Sequence, residues 1–505
     1  MQIEKVYGPP GCGKTTALLD RLETVLRSGV APERVAFLTF TVAARKEAVN
    51  RVLVRFPFTA AQLPYFKTLH AVAYAQLGLG RGSLVQSEHL QEFAREVNLD
   101  FTPVRDNVDT IELIPRLGDK AGDHLLAFDH VRRHREMDVE TAMSQLPLEG
   151  DLNPWLIRYF TKSYAEWKTR EGILDFTDIL TRAVTPLDVD VVFIDEAQDL
   201  SQLQWTVVQR LMANAQRIFI AGDDDQAIFT WAGASPTGFI EFPGTPTVLE
   251  QSYRIPRRVH HVAASLVQML GSQRFPKVWN PRPVEGRVDF VPEVRDWVPS
   301  RDETLILVRN HMFTPEYVAH LRDQGVPYMI GHRPADGLEH VNAIRTWELL
   351  RAGRAVTCEM AARALALVPV GDNIDPRVVA DLKKSRGDVT RELLMGRARI
   401  EDTWDRALLK IDPNDIAYLR RIQAAGRKAD EIHVRISTIH AAKGQEATHV
   451  VLHTGVTRRV SRSMNHPVHY ADEVRVQYVG VTRAKEQLTF VGTEHPWYSP
   501  VAVFE

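Results

Sequence analysis

The stretch "IEKVYGPPGCGKTTALLDRLETVL", residues 3–26, holds an apolar strand, a glycine loop and an amphipathic helix in immediate succession. Ile3 to Tyr7 reads as the strand, and Leu18, Leu19, Leu22, Val25 and Leu26 recur at helical spacing. Gly29 and Pro32 close that helix. Between the two elements, Gly8, Gly13, Lys14 and Thr15 satisfy G-x-x-x-x-G-K-[ST], the spacing of a phosphate-binding loop in the strand-to-helix context that the motif requires. Glycines, Gly11 among them, let backbone N–H groups curl around phosphate oxygens at a helix N-terminus. Lys14 is placed to neutralise β/γ charge, and the Thr15 hydroxyl to ligate Mg²⁺.

Working outward, the chain repeats the alternation of a parallel sheet. "RVAFLTF" (34–40) leads into a helical run, and "VDVVFID" (189–195) and "QRIFIAG" (216–222) are further strands of the same pattern. The second of these delivers Asp195 and Glu196 to a strand's C-terminal end, where a phosphate loop needs acidic partners. Asp195 would hold Mg²⁺ through water, and Glu196 would orient and deprotonate an attacking water. From 79 to 170 strands give way to helices; Asn153 caps the last of them, Pro154 fits its first turn and Gly172 stops it. A second α/β region follows residue 251, with strands "ETLILVRN" (303–310), "HVRISTIH" (433–440), "THVVLHT" (448–454) and "QLTFVG" (487–492). Residues 331–430 interrupt it with a mainly helical segment.

With 505 residues the chain is too long for one core. Its formal charge of −2 offers polyanions no global attraction, so any nucleic-acid contact must be local or by stacking. "HVRRHR" (130–135), "RIPRRVHH" (254–261) and "TRRVSR" (457–462) are candidate basic patches. Two cysteines, Cys12 and Cys358, exclude a disulfide framework and a four-thiolate metal site within the chain. The charged start "MQIEKVYG" does not read as a signal peptide, and no apolar run reaches the length of a membrane span. The segment "GDDDQAIFTWAG" (222–233) is less easily explained. A solvated turn accounts for the acids and a core contact for the rings, but neither accounts for Gln226.

Taken together, "GPPGCGKTT", "FLTFTVAARKEA", "FKTLHAVAYAQLG", "LDFTDIL", "FIDEAQD", "GDDDQAIFTWAGA", "LEQSYRIP", "STIHAAKGQEATHVV" and "QYVGVTRAKEQL" resemble, in order, the motifs of the superfamily 1 UvrD/Rep-like helicases. The resemblance implies an α/β fold with two RecA-like parallel-sheet domains in tandem, each interrupted by a mainly helical subdomain. The expected division is 1–78 with 171–250 as the first RecA-like domain and 79–170 as its insertion. The second domain is then 251–330 with 431–505, and 331–430 a reduced second insertion. By resemblance Gln226 contacts the γ-phosphate while Phe229 and Trp231 stack on DNA bases, so one segment touches both ligands. Asp223 to Asp225 would lie on the Mg²⁺ side or in a solvated turn. Arg254 and Arg483 would come from the opposite domain to stabilise charge on the transferred phosphoryl group. Tyr253 would stack on adenine, Thr16 would follow the loop where relatives carry an arginine, and Glu446 would lie near the ribose and phosphates. Phe40, His70, Thr438, His440 and Lys443 match positions that touch the strand. Asp175 and Asp178 are expected to cap a helix rather than catalyse. Only seven residues precede Gly8, leaving Gln2 as the one candidate for the upstream adenine-reading glutamine, and the chain ends without room for an appended nuclease domain.

The implied activity is ATP- and Mg²⁺-dependent DNA unwinding with 3′ to 5′ movement along single-stranded DNA and engagement of single-strand/duplex junctions. Two other readings are compatible with the motifs: a translocase that clears proteins from DNA without efficient unwinding, and an ATP-switched loading or scaffold module of a replication or repair complex. RNA as the track is not distinguished, because stacking residues do not read the 2′-hydroxyl. A monomer when free, in the cytoplasm of a bacterial cell or a phage-infected host, with replication or repair proteins as partners, completes the expectation.

Overall fold

A computed structural model of the chain describes residues 1–39, 42–102, 120–146, 152–183, 185–371 and 373–501. It divides into two compact units, Met1–Val284 with His466–Val479, and Glu285–Asn465 with Gly480–Glu505. Packing therefore divides the chain at 284/285 and not at the expected 250/251. Residues 251–284 belong with the first unit because Ser252 Oγ donates to the Pro10 carbonyl at 2.7 Å and the Lys277 ammonium is buried against Asp223, Asp224 and Asp225.

The first unit is built on a six-stranded sheet of order β3-β2-β4-β5-β1-β6. The strands are β1 (Gln2–Tyr7), β2 (Val35–Thr39), β3 (Phe66–Thr68), β4 (Val191–Ile194), β5 (Arg217–Gly222) and β6 (Thr245–Val248). All neighbours pair parallel. Its inner strands β2 and β4 are buried along their whole length, as a sheet covered on both sides requires. Val35, Phe37, Val191 and Phe193 face one core, with the P-loop helix Lys14–Arg27, while Ala36, Leu38, Val192 and Ile194 face a second core with Trp205, Val208 and Phe239. Because the strands run parallel, the C-terminal ends of β1, β4 and β5 converge on one edge. Two short strands, β7 (Gln251–Pro256) and β8 (Asn280–Arg282), form a separate pair in this unit.

The helical insertion has a core of its own, in which Phe93, Phe160, Tyr164 and Trp167 pack ring to ring. Its last helix, Pro154–Glu171, is capped by Asn153, whose Oδ1 accepts from Leu156 N at 2.8 Å, and is ended by left-handed Gly172. Behind it Asp175 caps the helix Phe176–Arg182, accepting from Asp178 N at 2.8 Å. The same two carboxylates receive Lys168, at 2.5 and 2.6 Å, and Arg133. Burial alone would raise the Asp175 pKa; Arg133 and Lys168 outweigh it and hold the carboxyl well below its usual range. A depressed carboxylate contributes stability above its unfolded pKa, near 4, and loses it as pH falls toward the folded value. Asp175→Asn is expected to cost about 3 kcal/mol at neutral pH, since it leaves buried cations short of a partner. The denaturant midpoint reports this, and an unchanged midpoint would contradict it.

The second unit holds a seven-stranded sheet, order β12-β11-β15-β10-β16-β17-β9. Its strands are β9 (Arg287–Val291), β10 (Thr304–Val308), β11 (Tyr328–Ile330), β12 (Arg333–Pro334), β15 (Val434–Thr438), β16 (Ala447–His453) and β17 (Ala484–Val491), with a β13 (Val356–Thr357) and β14 (Asp388–Val389) ladder in the insertion. The pairs are parallel except β11 with β12. The second insertion shares a core with the sheet: Trp347, Leu350, Trp404 and Tyr418 join Ile306, Tyr328 and Ile436 in one cluster. Among the described residues no helix is long and apolar enough to cross a membrane.

Candidate functional site

The glycine loop leaves β1 beside the end of β5, with Gly8 N donating to the Gly222 carbonyl at 3.0 Å. Gly13 is the N-cap of the helix Lys14–Arg27 in the left-handed region, φ 78°, and no side chain caps the helix. Its N-terminal N–H groups therefore remain available to an anion. Gly11 is also left-handed, φ 72°, and a Cβ there would lie 2.3 Å from Cβ of Arg254, so β7 can rest on the loop only if residue 11 is glycine. Lys14 Nζ donates to the Gly8 carbonyl at 2.9 Å. Thr15 Oγ1 donates to Asp195 Oδ2 at 2.9 Å, which joins the expected Mg²⁺ ligands across two elements.

At the end of β4, Glu196 holds a left-handed backbone, φ 52°, uncommon for a residue with a side chain. Asp195 Oδ1 accepts from Glu196 N at 2.9 Å. Gln198 bridges onward: its Nε2 donates to Glu196 Oε2 at 2.6 Å, and its Oε1 accepts from Asp223 N at 2.8 Å. Asp223 Oδ2 in turn accepts from Gln226 Nε2 at 2.7 Å. Burial, followed by the neighbouring Glu196 charge, pushes the Asp195 carboxyl up to about 7 against the pull of Lys14. Burial would lower Lys14, but Glu196 and Asp223 outweigh it and hold the ammonium above its ordinary range. Two adjacent carboxylates beside a hydroxyl fit a hard divalent cation such as Mg²⁺.

The acidic run is not a solvated turn. Asp223, Asp224 and Asp225 are fully buried and paired with Lys277 and Arg274. Five residues beyond Gln226, Trp231 emerges 42% exposed with half-buried Phe229 edge-on to it, ring centroids 6.5 Å apart. The "HVRRHR" run braces this turn from beneath and is not a displayed basic patch. Arg135 donates to the Thr230 carbonyl at 3.1 Å, His130 bonds the Ala232 backbone and His134 Nδ1 meets Ser201 Oγ at 2.8 Å. Arg132 and Arg133 are committed to Asp129, Asp175 and Asp178. Gly233, φ 99°, lets the turn close on His134, whose Cβ would lie 2.7 Å from an added Cβ. His70, expected on the strand-facing surface, is buried edge-on to Phe176; burial and then His130 push it down to about 4, so it is neutral. Phe40 lies outside the described residues.

Tyr253 is 72% exposed, its N–H held by the Gly11 carbonyl at 2.9 Å. Arg254 follows it, in the same compact unit as the phosphate loop and not in the opposite one as expected, because Ser252 Oγ ties β7 to Pro10 and accepts from Arg254 N at 3.3 Å. Thr16 is exposed in the helix's first turn. Gln2 opens β1, at the end of the strand away from the loop. Five residues at roughly 3.3 Å each separate it from Tyr7, which does not suit an adenine reader. Gln198, Ser252 and Lys277 were not among the expected site residues; "DEAQD" and "QSYRIP" display the first two, and Lys277 has no motif around it.

In the second unit, the turn after β15 carries Thr438, His440 and Lys443; Thr438 Oγ1 accepts from Ala441 N at 3.3 Å, and the latter two are half-buried. Arg483 is 2% exposed, donating to the Gln445 carbonyl at 3.3 Å, and Glu446 lies 3.9 Å from Lys485.

The first unit is thus that of a P-loop nucleotide-binding protein, with phosphate loop and acidic pair at the same edge of a parallel sheet, on strands that flank β5. The UvrD/REP helicase N-terminal domain family matches residues 2–246, and the UvrD-like helicase C-terminal domain family matches 408–495. The chain belongs to the UvrD/Rep-like superfamily 1 helicases. It is 24% identical over 273 residues to a probable DNA helicase II homolog of Mycoplasma genitalium, covering 50% of this chain and 37% of that protein. It is 22% identical over 329 residues to the ATP-dependent DNA helicase PcrA of Staphylococcus epidermidis, covering 60% and 42%. The matches therefore span about two fifths of those relatives. A crystal structure of an arterivirus nonstructural protein 10 (helicase) aligns over 99% of this chain and 61% of that one, at 12% identity and a TM-score of 0.34.

Proposed function

We propose that the chain is an ATP-hydrolysing motor that moves 3′ to 5′ along single-stranded DNA and separates duplex at a single-strand/duplex junction. The observation that carries this reading is the hydrogen-bonded path Glu196–Gln198–Asp223–Gln226, which ends five residues before exposed Trp231. A residue positioned to orient water and a residue able to stack on a base share one short, buried connection.

In this reading the helix N-terminus and Lys14 bind the phosphates, while Thr15 and Asp195 hold Mg²⁺, which supplies charge neutralisation on the phosphate oxygens. Glu196 orients the attacking water and accepts its proton, Gln226 contacts the γ-phosphate, and Arg254 and Arg483 offset the charge that develops. Tyr253 offers its exposed ring to adenine, with Glu446 near the ribose. Phe229 and Trp231 grip the strand by stacking, which tolerates any sequence. Thr438, His440 and Lys443 are further contacts to the strand. Replication or repair proteins in a bacterial or phage-infected cytoplasm are the proposed setting.

Strand displacement tests the claim directly. With ATP and Mg²⁺, a duplex bearing a 3′ single-stranded tail should be opened, and one bearing a 5′ tail should not. Equal opening of both would overturn the polarity, and movement without opening would favour a translocase that only clears bound proteins.

A further inference from the structure

Lys277 is fully buried, and its ammonium lies 3.1 Å from Asp223, 2.6 Å from Asp224 and 2.7 Å from Asp225. Arg274 adds two bonds to Asp225, Nε at 2.8 Å and Nη2 at 2.6 Å. Between the two cations, Phe275 N donates to Asp224 Oδ2 at 2.8 Å, and the Phe275 ring stacks on Tyr7 at 3.9 Å and 11°. Tyr7 is the residue before the phosphate loop. Arg475 closes the arrangement from a third element, donating to the Asp224 carbonyl at 3.1 Å and the Gln273 carbonyl at 2.6 Å. Residues 273–277 therefore fasten the end of β1, the loop after β5 and the helix Pro467–Val481 at one point.

Three consecutive carboxylates without solvent would repel one another and the loop could not close. Lys277 answers that charge, but it does so asymmetrically. One of its three partners, Asp223, uses its other oxygen to hold Gln226. We propose that Lys277 is a positioning residue for hydrolysis: through Asp223 it fixes the side-chain amide of Gln226, and the segment 273–277 is a clasp that keeps the γ-phosphate contact and the Trp231 turn in register. This rests on the functional reading of Gln226 given above. Lys277 itself touches neither nucleotide nor polymer. Its loss should therefore alter the rate of the chemical step more than nucleotide affinity.

The test uses the full chain and steady-state ATP hydrolysis with and without single-stranded DNA, together with the affinity for a fluorescent ATP analogue. Lys277→Met should lower kcat by roughly 10- to 100-fold, the penalty of a slightly misplaced catalytic group, with analogue affinity within threefold of wild type. Because Lys277→Met leaves three buried carboxylates to Arg274 alone, a second variant combines it with Asp224→Asn and Asp225→Asn. This combination removes two of the three carboxylate charges and leaves Asp223 without the Lys277 ammonium. A kcat still depressed at least tenfold in the folded triple variant supports the clasp. Wild-type kcat in the triple variant would overturn it, showing that Lys277 only neutralises charge, and so would a matched loss of analogue affinity and rate. An inactive wild-type chain overturns both the functional reading and the clasp, whereas an active wild type with an active triple variant removes the clasp alone.

Discussion

Lys14→Ala should lower ATP turnover by roughly 10²- to 10³-fold or more, the usual consequence of removing a preorganised charge from a phosphoryl-transfer site. The ammonium is half-buried, held to the Gly8 carbonyl at 2.9 Å and flanked by Glu196 and Asp223. On the proposed mechanism its removal takes away the cation that faces the transferred phosphoryl group. It also withdraws the charge that restrains the Asp195 carboxyl, already pushed to about 7 by burial and Glu196, so Asp195 would protonate more readily and hold a divalent cation less well. The fold should survive, because the loop is fastened independently through Gly8 to Gly222 and through Ser252 to Pro10. Turnover within tenfold of wild type, in a variant with an unchanged melting transition, would contradict the assignment of this loop as the catalytic phosphate site.

Trp231→Ala should have the opposite profile. Hydrolysis without DNA should stay within about twofold of wild type, since the ring lies outside the Glu196–Gln198–Asp223–Gln226 path and is 42% exposed. Losing one base stack costs roughly 1–3 kcal/mol, a loss of about 5- to 150-fold in affinity for single strands and a collapse of DNA-stimulated turnover. The turn itself should remain, held by Arg135 on the Thr230 carbonyl and by His130 on the Ala232 backbone. A variant that unwinds as well as wild type would remove Trp231 from the coupling. The two substitutions thus separate chemistry from grip.

Why some of this was legible in sequence and some not follows from how local each signal is. The strand, loop and helix of residues 2–27 are contiguous, and a phosphate loop needs no distant partner to be recognised. β1, β4 and β5 fall within two residues of their expected positions because their apolar runs serve a sheet covered on both faces. The three-residue β3 and the exposed edge strand β6 carry too little pattern to announce themselves. Charge was harder to read. "HVRRHR" and "DDD" both suggest solvated surface, yet the first is half-buried and the second fully buried, because partners of Arg133 (Asp175 and Asp178) and of the acidic run (Lys277 and Arg274) lie about 40 to 50 positions away, where no local pattern shows them. The same non-locality explains the boundary. Residues 251–284 read as the start of a second α/β half, yet Ser252 and Lys277 fix them to the first unit.

Coupling between the proposed phosphate site and the proposed strand-gripping turn is tested most directly by steady-state ATP hydrolysis of the purified chain. Turnover should be measured alone, with a single-stranded DNA homopolymer and with the matching RNA, at low and moderate salt. The expected result is strong stimulation by DNA, weakening as salt rises, with the RNA arm deciding whether the track is read for its sugar. Hydrolysis that neither polymer stimulates would contradict the central claim, because "GDDDQAIFTWAG" would then not connect the two sites.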